Sequence, residues 1–187
     1  MRVFIAGLIG GIVFFLWTAV AHMFLPIGEM GMRAPTDETA IVTAMQAGLP
    51  GEGVYYLPYL SPAQMQDEAV TTAYAERAAR QPYAFVIYQP QGRNNMAMGP
   101  YLATQFASNT LAALIVAFVL ALGSFAFSQR VFIATALGLF SWLCISVPYW
   151  NWYRFPLDFT LGALLEQVIG WLVAGVAMAW WLGRHRR

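Results

Sequence analysis

Two side chains of this sequence could do acid–base chemistry inside an apolar setting, His22 and Glu166. Each is embedded in a long hydrophobic run, VFIAGLIGGIVFFLWTAVAHMFL and FTLGALLEQVIGWLVAGVAMAWWLG respectively. An ionisable group at membrane depth is costly to place and marks a functional site by default. Imidazole and carboxylate together can pass a proton or hold a polar substrate; they can equally serve as a packing contact between helices. His22 stands four residues before Pro26 and Glu166 seven after Phe159, where their runs begin or end. At a rise of about 1.5 Å per residue their depths differ by only some 4–5 Å. The sequence therefore predicts that His22 and Glu166 are neighbours or are joined through water.

No other catalytic signature stands beside this pair. P-loop, GxSxG, HExxH and CxxC patterns are absent, as is a GxGxxG ahead of a soluble βαβ unit. The single cysteine, Cys144, rules out an internal disulfide and a Cys-rich metal site, and within its apolar run it reads as a small buried hydrophobe. His185 lies in the charged C-terminal stretch, which leaves one intramembrane histidine and no haem-ligating pair. The expectation is no cofactor and no metal, with bound lipid. All ten basic residues are arginine and the net charge is +1, so no broad basic surface argues for nucleic acid.

The elements that must position the pair are membrane helices. Hydrophobic residues make up 59% of the 187 and charged residues only 10%, against about 25% in an ordinary soluble domain. The expected fold is an α-helical integral membrane protein, a four-helix bundle with a small mixed α/β domain between spans 1 and 2. The spans are read at 3–25, 101–127, 131–147 and 159–183, with a tight connection at Ser128-Gln129-Arg130. The first run is longer than the apolar core of a signal peptide and reads as a retained span. Small residues mark the faces meant to meet: Gly7, Gly11 and Thr18 with His22 on span 1, Gly138 and Ser141 on span 3, and Gly162, Gly170 and Ala174 with Glu166 on span 4. Gln105, Ser108, Asn109 and Thr110, in the opening turns of span 2, can sit at the membrane interface or bond neighbouring helices, and the interface is the expectation.

Residues 26–100 hold seven of the nine acids and form the polar domain. Thr36 is the expected cap of a short helix ending near Gly48. Ser61-Pro62-Ala63-Gln64 reads as the start of a helix running to about Arg80. That helix separates two short strands, Val54–Tyr59 and Tyr83–Gln89, and is long enough to let them pair in parallel. Residues 148–158, PYWNWYRFPLD, are read as an outer loop; Trp150, Trp152, Tyr153, Arg154 and Asp158 give it the composition of an interfacial belt, with Arg154 and Asp158 spaced to pair.

Arg2, Arg130 and the basic tail, residues 184–187, fall on one side of four spans, so both termini are expected in the cytoplasm of a bacterial inner membrane, with the polar domain in the periplasm. The stretch WTAVAHMFLPIGEMG, residues 17–31, resembles the end of the first span in uncharacterised bacterial four-span inner-membrane proteins. That resemblance implies the architecture and no activity. Two functional expectations follow. One is a non-enzymatic accessory or assembly subunit that packs with membrane lipids, other inner-membrane proteins or its own copies and presents its small periplasmic domain to a partner. The other is a membrane enzyme or transporter using His22 and Glu166.

Overall fold

The computed structural model describes residues 1–184; His185, Arg186 and Arg187 of the expected tail lie outside the described residues. In chain order the elements are α1 (Arg2–Met23), α2 (Glu38–Gly48), β1 (Gly53–Leu57), α3 (Glu68–Arg80), β2 (Ala84–Tyr88), α4 (Gly99–Ala121), α5 (Phe127–Tyr153) and α6 (Leu157–Gly183). Four of these, α1, α4, α5 and α6, are long and apolar enough to cross a membrane. The chain divides into two compact units, one made of Met1–Arg33 with the chain from Met96 onward, the other of Ala34–Asn95.

In the four-helix unit, α1 is antiparallel to both α4 and α6, and α5 packs on the far side of α6. Glycines set the approach. A methyl group at Gly11 would stand 2.6 Å from the Cα of Thr110 on α4, and one at Gly138 would stand 2.8 Å from the Gln167 carbonyl oxygen on α6. Such backbone-to-backbone contact gives dispersion energy that bulkier residues would forfeit. Larger side chains fill the space between: Phe14, Val116, Leu120, Trp171 and Met178 are buried together, with the Phe14 and Trp171 ring centroids 4.7 Å apart.

The small residues expected to share one face of α1 in fact serve two. Gly7 and Gly11 meet Leu114 and Thr110 of α4, while His22 and Phe14 face α6. Fifteen residues are slightly more than four turns, which swings His22 away from Gly7, and a helix with neighbours on two sides uses both faces. On α6 the expected Gly162, Gly170 and Ala174 are all buried.

Several boundaries differ from those read in the sequence. The second long helix stops at Ala121 instead of 127, and Ser128-Gln129-Arg130 is the first turn of α5, not a connection. The cause is local: the Gln129 side chain accepts the Ala126 N–H at 2.8 Å and caps α5, while the intervening Leu122–Ala126 contains enough apolar residues to hide the break from hydropathy. At its other end α5 runs through Pro148, which removes one helical hydrogen bond without stopping the helix. Trp150, Trp152 and Tyr153 therefore lie on its last turns, not in a loop. The helix ends where Arg154 takes a left-handed conformation, φ 53°, and Asp158 already belongs to the first turn of α6. Cys144 is exposed on the outer surface of α5, contrary to the buried reading; the apolar run around it shows hydrophobicity, not which face meets protein.

The unit Ala34–Asn95 carries well-made local structure. Asp37, not Thr36, caps α2 by accepting the Ala40 N–H at 2.9 Å. The expected Ser61 and Gln64 caps form reciprocally, Gln64 N–H to Ser61 Oγ at 3.3 Å and Ser61 N–H to Gln64 Oε1 at 2.9 Å, but they close only a one-turn 3-10 segment, Gln64–Gln66. Asp67 then starts α3 by accepting the N–H groups of Ala69 and Val70. The strands pair antiparallel, Tyr55 opposite Val86 and Tyr56 opposite Phe85, which corrects the parallel expectation. That expectation treated residues 61–80 as one crossover helix, and the break at Asp67 removes its premise. No residue between 34 and 95 is buried.

Candidate functional site

The site lies at the end of the four-helix unit where α1 finishes and α6 begins. After Met23 the chain turns through a one-turn 3-10 segment, Pro26–Glu29, with proline at its first position where a missing N–H costs nothing. Gly31 follows with φ +80°, a conformation that suits glycine. This turn lays residues 27–31 along the opening turns of α6. A methyl group at Gly162 would stand 2.8 Å from the Ile27 carbonyl oxygen, and one at Gly31 would stand 2.7 Å from the Phe159 Cβ. The imidazole of His22 lies directly over Gly28, where any side chain would overlap the ring.

Held from that side, His22 meets Glu166 on the other. His22 Nε2 is 3.4 Å from Glu166 Oε2. The distance is inside the range of an ion pair, once the imidazole is protonated, and slightly beyond the 2.7–3.2 Å of a good N–H···O hydrogen bond. The Glu166 side chain is 20% exposed and that of His22 46%, so the pair sits at the rim of the unit, with the histidine the more open of the two. Trp17 fixes the backbone beneath it, its indole N–H donating to the Glu166 carbonyl at 2.9 Å. On α5, Ser141 Oγ donates to the Gly138 carbonyl at 2.8 Å and lies 3.3 Å from Gln167 Oε1, and the Trp142 indole donates to the Thr160 carbonyl at 2.8 Å. The two indole bonds tie α6 at Thr160 and at Glu166 itself.

Chemically, a partly exposed imidazole against a half-sheltered carboxylate can relay a proton or accept a small polar group. The structure brings these two sequence candidates together. Thr18 returns its hydroxyl to the Phe14 carbonyl of its own helix at 3.1 Å, and Gly7, Gly11 and Gly138 serve packing away from the site. Asp158 makes its ion pair with Arg33, Nη2 to Oδ2 at 3.4 Å, a partner outside the sequence reading, which considered only Arg154. With Arg33 83% exposed, that pair contributes about 0–1 kcal/mol.

A second polar group, deeper in the unit, was placed at the interface by sequence alone. Asn109 is buried, at 6% exposure, and its carbonyl accepts from Gln105 Nε2 at 2.8 Å. Asn109 Nδ2 and Thr110 Oγ1 are buried without a hydrogen-bond partner among the described residues. The i, i+4 spacing of Gln105 and Asn109 was the available signal. No group of three His, Cys, Asp or Glu side chains among the described residues could hold a metal ion. Comparison of the chain with family models, with curated proteins and with solved structures finds no match, so the reading of this site stands on its geometry.

Proposed function

We propose that the protein is a non-enzymatic accessory or assembly subunit of a bacterial inner membrane. On this reading α1, α4, α5 and α6 cross the bilayer with both termini cytoplasmic, and the unit Ala34–Asn95 is offered to a partner protein on the periplasmic side. The observation that carries it is the absence of any buried residue in that unit. A two-stranded sheet is marginal by itself, and stable domains of this size bury a core. Here Ile41 and Val42 of α2, Val54 and Leu57 of β1 and Ile87 of β2 are exposed, an apolar surface that a partner would cover. Purification from native membranes, with mass spectrometry of co-purifying chains, tests this. A stoichiometric partner that is lost from the variant I41D/I87D is expected. The same protein content for wild type and variant would remove the proposal.

A second reading, a membrane enzyme or transporter, is favoured by one observation, the 3.4 Å contact of His22 with Glu166. Under it, Glu166→Gln abolishes a proton-coupled activity and leaves partner recovery intact. Under the accessory reading the same change lowers thermal stability or loosens the partner, because a polar contact between α1 and α6 is weakened.

A further inference from the structure

We propose that the opposite end of the four-helix unit holds a phosphate group, clasped between Arg2 at the start of α1 and Arg130 in the first turn of α5. There α1 and α5 begin while α4 and α6 end. A cavity of about 210 Å³ lies among them, lined by Arg2, Val3, Ala121, Gly123, Arg130 and Leu182. At about 30 Å³ per water molecule that is room for a tetrahedral anion and several waters. Arg130 is buried, at 4% exposure, with its Nε donating to the Leu120 carbonyl at 3.4 Å. Arg2 is exposed at the mouth and donates through Nη2 to the Leu182 carbonyl. A guanidinium has five N–H donors in a planar fork, so the bond from Arg2 to Leu182 leaves donors to spare.

Among the described residues, the charged groups of the four-helix unit at this end have one sign. Two helix N-termini and two C-termini meet there, and their partial charges roughly cancel. The charged groups described there are Arg2, Arg130, Arg184 and the amino group of Met1. Within the four-helix unit Glu29, Asp158 and Glu166 lie at the far end, where α1 finishes and α6 begins, and no Asp or Glu lines the cavity. Among the described residues that line the cavity, an anion meets two guanidinium groups and no carboxylate side chain. Phosphate fits the bidentate geometry of arginine better than a spherical anion does. The walls formed by Val3, Ala121 and Leu182 are apolar, which suits a phosphate attached to glycerol and acyl chains. The phosphate of an anionic lipid headgroup is one source and free phosphate the other; the lipid source rests on the membrane reading above, where basic pockets at helix ends take headgroups.

The full chain in detergent, titrated with dioleoylphosphatidylglycerol and separately with inorganic phosphate, tests the site by native mass spectrometry and thermal shift. One lipid per chain is expected on the wild type. Arg2→Gln and Arg130→Gln should each weaken binding about tenfold, as loss of a charge-assisted hydrogen bond does. Arg184→Gln removes the same charge from the same end without lining the cavity and should change binding less than about twofold, since an exposed charge acts there only through screened, longer-range attraction. Should Arg130→Gln fail to fold by circular dichroism, the exposed Arg2→Gln and the conservative Arg130→Lys carry the comparison. Stabilisation by inorganic phosphate alone would support the site and assign it to a soluble phosphate. Equal losses in Arg2→Gln and Arg184→Gln, or no binding of either probe, would overturn the proposal. Alkaline extraction of membranes reads the membrane assignment separately: release of the chain would refute that assignment while leaving the phosphate titration valid.

Discussion

The two units of this chain solve the same folding problem with opposite means. The four-helix unit has almost no side-chain caps at its helix ends and holds together through burial: glycines that admit backbones, and a core around Phe14, Leu120, Trp171 and Met178. The unit Ala34–Asn95 has caps at Asp37, Ser61 and Asp67, a cross-strand ladder and tyrosine pairs such as Tyr56 with Tyr83, yet no residue of it is fully buried. Local order and global stability are thus separable. Capping specifies where an element starts and is worth about 1 kcal/mol, whereas burial of large apolar side chains supplies about 1.5–3 kcal/mol for each. A unit rich in the first and poor in the second has its shape written in sequence and little stability of its own.

Substitutions in the two units should separate these terms. The largest effect is expected where backbones touch. Gly11→Leu forces a side chain into the Cα of Thr110 and should cost about 3 kcal/mol or prevent assembly of the helices, read by thermal unfolding in detergent. Gly48→Leu, with open space around it at the end of α2, should change stability by less than about 0.5 kcal/mol, and a matching loss there would break the comparison. An intermediate effect belongs to the caps. Asp67→Ala should lower the protection of amides in α3 by about 1 kcal/mol, seen by hydrogen exchange, with α1 unchanged. The smallest belongs to the exposed pair of Arg33 and Asp158. A double-mutant cycle should give a coupling under about 1 kcal/mol that shrinks as salt is raised.

How much of this was legible in the sequence follows the same division. Apolar runs located four long helices, because a membrane-length segment needs continuous hydrophobicity and nothing subtler. Their ends were less legible: Leu122–Ala126 interrupts the apolar pattern too little, and Pro148 suggested a stop that α5 ignores. Depth counting from Pro26 and Phe159 brought His22 to Glu166, since both are measured from the same end of antiparallel helices. Gly28 and Arg33 escaped notice because their roles depend on how the chain folds back after α1, which no periodicity records. The burial of Asn109 escaped notice for the reverse reason: polarity near a helix start suggests an exposed position, and only packing shows the side chain covered. In the smaller unit the cap of α2 was readable to within a residue, whereas α3 starts at Asp67, six residues beyond the expected Ser61. Strand direction was not readable, because it turned on whether residues 61–80 formed one helix or two segments.

The central claim is that the unit Ala34–Asn95 is completed by a partner. Hydrogen exchange of that segment, compared between native membranes and the purified chain, tests it most directly. The account predicts that amides of α2, β1 and β2 exchange at least about tenfold more slowly in the membrane than in the purified protein, since only there is their exposed apolar surface covered. Protection in the purified chain equal to that in the membrane would contradict it, because the unit would then be stable without anything laid over it.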